Sequence, residues 1–461
     1  MNFAELRFWL LLAGGLGLSL LVRLAVPSAG RERYDRVALA LVGASLLVAV
    51  SWLTFLVYAA VMLVTYFGLQ WITAAEGHRR KWAMPLVAVQ LAPLLVYKYG
   101  RFVTADIFGQ SDWVAADLVI PVGISFYTFQ KVAFVVDTLH RRQPLPGFLD
   151  YANFAGFFPQ IVAGPIERRE DLLPQMEQFR FRWNTAWINE GVSWVVVGLF
   201  YKMCLADNLA VFLQRDVGPN AYLIWLNNVL FALRIYFDFA GYSLVALGLG
   251  LCLGVRLTLN FASPYLATSP GEFWRRWHIT LSQWFRDYVY IPMGGNRVRT
   301  WALNILVVFA VSGLWHGAGW NFIAWGLFHG VLLVIASRWW PKDRFAWIGR
   351  LLMLVAVLFS WMLFYETQTA VLWQDIRAVL SPVGYSRASL DGLKWWLGSA
   401  NGIVAMAFLG LSGLTLLMEA RSLGKSQAYG ELRRPWVQGV LVVLTVWLSP
   451  GASNGFIYFA F

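Results

Sequence analysis

Apolar residues in this chain come in long unbroken runs, and polar residues come in short groups of one sign. The first run covers residues 8–26. The second, 37–71, is too long for one crossing of a bilayer and fits a pair turning near Ser51. Further runs lie near 82–97, 119–139, 187–205, 221–240, 301–318, 320–336, 351–368, 402–418 and 436–455. Most approach the ~20 apolar residues that a helix needs to span hydrocarbon. Arg31, Arg33 and Arg36, the stretch 78–81, His140-Arg141-Arg142, and the loops 338–350 and 421–434 are basic, whereas 104–117 carries Asp106, Asp112 and Asp117 without Lys or Arg. Basic loops stay in the cytoplasm. The pattern therefore predicts an all-α, polytopic integral membrane protein of about 11–12 transmembrane helices with both ends outside.

One stretch breaks the pattern. Residues 151–165 are apolar but carry Gly156, Pro159, Gly164 and Pro165. Irregular backbone at membrane depth must line a cavity or be buried in protein, so a re-entrant or interfacial segment is expected there. The count is least secure at 241–260 and 301–336, where half-spans would change it.

Composition agrees with the runs. Of 461 residues, 59% are hydrophobic and 13% charged, and no soluble domain is visible. The excess of Lys and Arg gives a net charge of +12. That excess sits in short loops between spans, so it reads as topology and not as a nucleic-acid surface. Cys204 and Cys252 have neither disulfide nor metal spacing. The first run lacks a small-residue cleavage site and is expected to be a retained span. Nucleotide-binding, serine-hydrolase and zinc-protease signatures are absent from the sequence.

What remains is polar chemistry at membrane depth, concentrated in 271–330, which holds three of the five histidines. His316 sits inside an apolar run, and an ionisable residue there is a functional candidate by default. Its alternative is a histidine hydrogen-bonded to a neighbouring helix. Arg234 and Asp238, at i and i+4, can form a structural ion pair. Trp274-Arg275-Arg276-Trp277 is either an interfacial anchor or a clamp for the phosphates of a cofactor. Gly313, Gly317 and Gly319 permit close backbone approach around His316, as tight helix packing or a tunnel wall would need.

Five segments in order then carry a likeness: Phe-Pro-Gln-Ile-Val-Ala-Gly-Pro at 158–165, Tyr-Phe-Asp-Phe-Ala-Gly-Tyr-Ser at 236–243, Glu-Phe-Trp-Arg-Arg-Trp-His at 272–278, Tyr-Ile-Pro-Met-Gly-Gly-Asn-Arg at 290–297 and Gly-Leu-Trp-His-Gly at 313–317. Together they resemble the membrane-bound O-acyltransferase (MBOAT) family, in its bacterial AlgI/DltB-like branch. The likeness is strong over about 95–335. It weakens before about residue 90 and over 370–430. It implies one membrane domain over 1–461, with a catalytic core at about 95–335, N-terminal helices over 1–90 and C-terminal helices over 340–461, arranged around a transmembrane funnel.

By resemblance, His316 matches the catalytic histidine, His278 the second characteristic histidine, and His329 a further His-Gly pair with a supporting role. The likeness implies transfer of an acetyl group from a cytoplasmic thioester toward O-acetylation of an exported polysaccharide: alginate, cellulose or peptidoglycan. Acetyl-CoA is the expected donor, with an acyl carrier protein as the other choice, and no metal is expected. The donor belongs on the side of Arg275, Arg276, Trp274 and Trp277. His316 would take the proton of the accepting hydroxyl. Trp315, Asn321 or a glycine N–H would face the oxyanion. The expected setting is the bacterial inner membrane, beside the polysaccharide synthesis and export machinery and a periplasmic SGNH-type transferase. The C-terminal Phe-Ile-Tyr-Phe-Ala-Phe resembles the tail of AlgI-like proteins, and Tyr458 is a candidate acyl relay, or else an interface anchor. Acylation of a lipid or protein acceptor is the alternative chemistry. A proton-coupled transporter built on His316 is the alternative outside enzymology.

Overall fold

The computed structural model describes residues 3–74, 80–110, 118–141, 143–161, 164–214, 216–341, 345–425, 427–450 and 455–457. Its elements follow the apolar runs closely. α1 (Leu6–Ala25) is the first run. The second divides into α2 (Arg31–Val50) and α3 (Trp52–Thr73) at Ser51, whose hydroxyl accepts from Thr54 N at 3.3 Å and so caps α3. α4 (Ala83–Leu94) and α5 (Ile124–His140) occupy the next two runs. Where a re-entrant segment is expected, α6 (Phe148–Gly156) and α7 (Phe158–Ile161) form two short buried helices parted at Phe157. α8 (Arg169–Glu177) covers the polar stretch that follows.

α9 (Thr185–Leu199) runs through a π-helical turn at Phe200–Ala206 into α10 (Asp207–Val211). α11 (Ala221–Cys252) is 32 residues long and extends beyond the expected end at 240. Glycine explains the extension: a Cβ on Gly248 would lie 2.4 Å from the Gly191 carbonyl, so α9 and α11 touch backbone to backbone and stay packed past that point. α12 (Pro270–Arg276) and α13 (Ile279–Phe285) are short. α14 (Trp301–His316) and α15 (Trp320–Trp339) form a hairpin, followed by α16 (Ala346–Tyr365). α17 (Thr369–Leu380) and α18 (Arg387–Gly398) precede the last two apolar helices, α19 (Ala400–Gly424) and α20 (Pro435–Leu448).

Every expected crossing falls on a helix, and the described residues hold no strand. Among the described residues, seven helices are long and apolar enough to cross a bilayer, and three shorter apolar ones accompany them. This is an all-α polytopic membrane protein.

The chain packs as two compact units. The first comprises 1–195 and 243–259. Three of its buried charges show how they are held. Asp35, fully buried, meets Arg23 Nε at 2.6 Å. Lys131, also fully buried, lies over the rings of Tyr58 and Tyr127, 4.4 and 4.8 Å from their centroids. Glu167 accepts from Thr258 N at 2.6 Å and from Thr258 Oγ1 at 3.1 Å, while burial pushes its carboxyl up to about 7.

The second unit comprises 196–242 and 260–461, and it contains every described candidate site residue. Its tightest contact is the hairpin of α14 and α15. A Cβ on Gly326 would lie 2.0 Å from the Phe309 carbonyl, and one on Gly313 would lie 2.1 Å from that of Phe322. In hydrocarbon no hydrophobic force draws helices together, so such close backbone packing supplies the attraction. Deeper in the unit, Glu419 accepts hydrogen bonds from the hydroxyls of Tyr201 and Tyr236. Tyr429, which packs against both tyrosines, donates to the Phe261 carbonyl at 3.0 Å.

The ion pair expected between Arg234 and Asp238 is replaced by another. Asp238 Oδ1 lies 2.7 Å from Lys202 Nζ, which also meets Asp207 Oδ1 at 2.8 Å. Helical spacing makes the i, i+4 pair available, but the widened turn at Phe200–Ala206 carries an ammonium to the same carboxylate from another helix. The second carboxylate oxygen of Asp238 accepts from Ile457 N at 2.7 Å, which fixes the chain just before Tyr458. Tyr458 itself lies outside the described residues.

Candidate active site

The site is built at the break between α12 and α13. Ser269 caps α12 by accepting from Glu272 N at 3.3 Å, and Pro270 starts the helix with the φ it already prefers. Glu272 then uses both of its carboxylate oxygens. Its Oε2 accepts from Thr268 N and Thr268 Oγ1, both at 2.7 Å. Its Oε1 takes Arg276 Nη2 at 2.7 Å and Nε at 3.0 Å. Burial alone would raise the Glu272 carboxyl, but the Thr268 hydrogen bonds and the Arg276 charge reverse this and hold it below the usual carboxylate range. Arg276 also donates to the Ala262 carbonyl at 3.1 Å. Its guanidinium is thus engaged in the elbow, and of the two arginines Arg275 is the one that lines the cavity described below.

The turn between the helices puts His278 at φ 42°, ψ 57°, in the left-handed region. A non-glycine residue there is held by its surroundings, and such residues concentrate at functional sites. Here the holder is Asn260. Its carbonyl accepts from Ile279 N at 2.9 Å. Its side-chain Oδ1 accepts from Thr280 N at 3.2 Å and Thr280 Oγ1 at 3.0 Å, and it lies 3.2 Å from His278 Nδ1. Asn260 therefore caps α13 from outside, in place of His278, whose ring is turned inward and fully buried. Sequence reasoning missed this residue. A lone Asn in a connection carries no spacing signal, and only the fold brings it to the histidine.

His316 is the last residue of α14, where Gly317 turns the chain toward α15. A Cβ on Gly317 would meet the Phe322 ring at 2.1 Å, so only glycine fits beneath the histidine. His316 is 1% exposed. Its ring centroid is 5.0 Å from Trp325, 5.6 Å from Phe364 and 6.4 Å from His278. The two histidines, 38 positions apart in the chain (316 − 278), are thus neighbours in a buried aromatic shell.

His329 has a different part. The Ser360 hydroxyl gives its proton to the Val357 carbonyl at 2.8 Å, so its oxygen accepts from His329 Nε2 at 3.0 Å. The ring stacks parallel to Phe273 at 5.9 Å, and it ties α15 to α16 and α12. Asn321 donates its amide to the carbonyls of Leu363 and Phe364, both at 3.3 Å, so those protons close the end of α16 and do not face His316. The indole N–H groups of Trp274, Trp277, Trp325 and Trp361 are buried without an acceptor. Trp325, one of these, packs on His316 and was not among the expected residues.

A cavity of about 410 Å3 opens beside this cluster. Its lining combines polar Arg275, Arg286, Tyr290 and Asn296 with apolar Leu281, Phe285, Val308 and Phe309, and it includes Ser312 but none of the three histidines. Ser312 lies four residues before His316 on α14, one turn along the same face. Trp274 also lines the cavity, whereas Trp277 is packed into the core against Phe273, Phe261 and Trp361. Among the described residues, no group of three or more His, Cys, Asp or Glu could hold a metal ion.

The sequence model of the membrane-bound O-acyltransferase family matches residues 41–373. A peptidoglycan O-acetyltransferase from Helicobacter pylori is 35% identical over 297 residues, which cover 57% of this chain and 56% of that relative. A probable alginate O-acetylase from Pseudomonas aeruginosa is 34% identical over 367 residues, 74% of this chain and 69% of that protein. A teichoic acid D-alanyltransferase from Streptococcus thermophilus is 30% identical over 255 residues, 48% of this chain and 58% of that protein.

Proposed function

This chain belongs to the membrane-bound O-acyltransferase family, and from that premise we propose that it passes acetyl groups from a cytoplasmic thioester across the inner membrane for O-acetylation of an exported polysaccharide. The observation that carries the reading is a cavity lined by Arg275 and Arg286 whose wall includes Ser312, one helical turn before His316 on α14. The names of its relatives favour a bacterial cell-surface polymer, and alginate, peptidoglycan and cellulose are the candidates.

The cavity suits acetyl-CoA or the thioester of an acyl carrier protein. Arg275 offers a cation for phosphates, with Arg286, paired to Asp287 at 2.6 Å, beside it, and the apolar lining residues accommodate the acyl arm. In the reaction, the accepting hydroxyl attacks the thioester carbonyl while His316 takes its proton. The indole N–H of Trp325 faces the developing oxyanion. The C–S bond then breaks, and the imidazolium returns the proton to the departing thiolate. Dry surroundings strengthen each of these interactions. The ester so formed is handed to a periplasmic SGNH-type transferase next to the polymer export machinery. Tyr458 is the proposed carrier: Ile457, the residue before it, is tied to buried Asp238, and Phe456 packs on Phe239, which itself packs on His278.

Two measurements test the reading. Arg275→Ala raises the KM for the thioester about tenfold, the worth of one charge-assisted contact. Arg276→Ala instead lowers the melting temperature in detergent and leaves KM near the wild-type value. Equal KM effects would show that the clamp is placed wrongly. Tyr458→Phe lowers polymer-bound acetate to background while the membrane level of protein holds, and full acetylation in that variant removes the relay.

A further inference from the structure

A buried imidazole can carry its proton on either nitrogen, and the choice decides which atom can act as a base. At His278 the choice is readable from its neighbours. Thr280 N is a main-chain donor and can do nothing but donate, so the Asn260 side-chain atom 3.2 Å away is the amide oxygen. Thr280 Oγ1 approaches the same atom at 3.0 Å. His278 Nδ1, 3.2 Å from that oxygen, must therefore be a donor. Burial favours the neutral ring.

We propose that Asn260 is a positioning residue that fixes His278 in the Nδ1–H tautomer and places its lone pair on Nε2. His329 is held the other way, with its proton on Nε2 toward Ser360. The two conserve opposite protonation patterns within one unit, each dictated by an oxygen whose role is settled by a third group. His278 thus presents an acceptor nitrogen within the shell it shares with His316, and the same oxygen holds the left-handed backbone on which the ring is mounted. Around it, Phe239, Phe261 and Trp315 carry no charge, and His316 is a titratable ring neighbour. The consequence for catalysis rests on the acyl-transfer reading; the tautomer does not.

The first test is therefore spectroscopic. In protein labelled with 15N-histidine and reconstituted in lipid, the His278 signals are those lost in His278→Gln. A protonated Nδ1 with an unprotonated Nε2 is expected, and the reverse pattern in the wild type overturns the proposal whatever the enzyme does. The second is kinetic. Asn260→Leu is expected to lower kcat at least tenfold with little change in KM. Asn260→Asp keeps an acceptor on Nδ1 and is expected to restore kcat to within a few-fold. Its carboxylate also makes the ring more basic, moving the acidic limb of the pH profile upward. A wild-type pH profile in Asn260→Leu overturns the positioning role. If that variant does not fold, the wild-type 15N pattern still decides.

Discussion

Replacing His316 with alanine lowers polymer-bound acetate by about 100- to 10,000-fold, the range that a positioned general base contributes. The measurement compares cells with matched membrane levels of the two proteins. Matching is essential because His316 is 1% exposed and packs on Trp325 and Phe364, so its loss leaves a hole in the shell. The fold tolerates that hole better than most: the turn beneath is set by Gly317, and the hairpin is held by Gly313 and Gly326, none of which depends on the imidazole. Retained acetylation at matched levels would falsify a catalytic His316 and leave a scaffold in its place.

The largest effect on stability is expected at Lys202. Its ammonium is enclosed with Asp207 and Asp238, and the three side chains are 3%, 2% and 3% exposed. Removing the lysine leaves two buried carboxylates facing each other. Breaking a buried ion pair in this way costs about 3–5 kcal/mol. Lys202→Ala is therefore expected to lose most of its folded yield in detergent, and it also releases the carboxylate that holds Ile457. Lys202→Met with both aspartates replaced by asparagine removes the charges together and is expected to recover much of the yield. A melting temperature unchanged in Lys202→Ala would show that the triad carries no weight.

Lys202 also marks where sequence reading stops. The helices were legible because hydrocarbon demands long apolar runs, and even the turn at Ser51 was visible from the length of one of them. The histidines were legible because a polar residue inside such a run is conspicuous. Lys202 lies in an equally apolar stretch, yet its partners stand on other turns and helices, and local spacing favoured Arg234 as the neighbour of Asp238. The same limit applies to Arg276, which looks like half of a clamp beside Arg275 but faces Glu272 one turn back. It applies again to Asn321, whose amide is spent on α16, and to Asn260, which nothing in its neighbourhood advertised. Periodicity reports which face a residue occupies. It does not report what the fold brings to that face.

α14 has a further consequence through its length. It starts at Trp301, just behind Arg297 and Arg299, and ends at His316 after 16 residues. At ~1.5 Å per residue it climbs ~24 Å, short of the ~30 Å hydrocarbon thickness. A helix of that length that starts at one surface leaves its last residue, here His316, several ångströms short of the other. If the acceptor is the hydrated polymer proposed above, its hydroxyl would have to shed water to reach that depth, and a slender courier already apolar on its flanks would make the last leg cheaper.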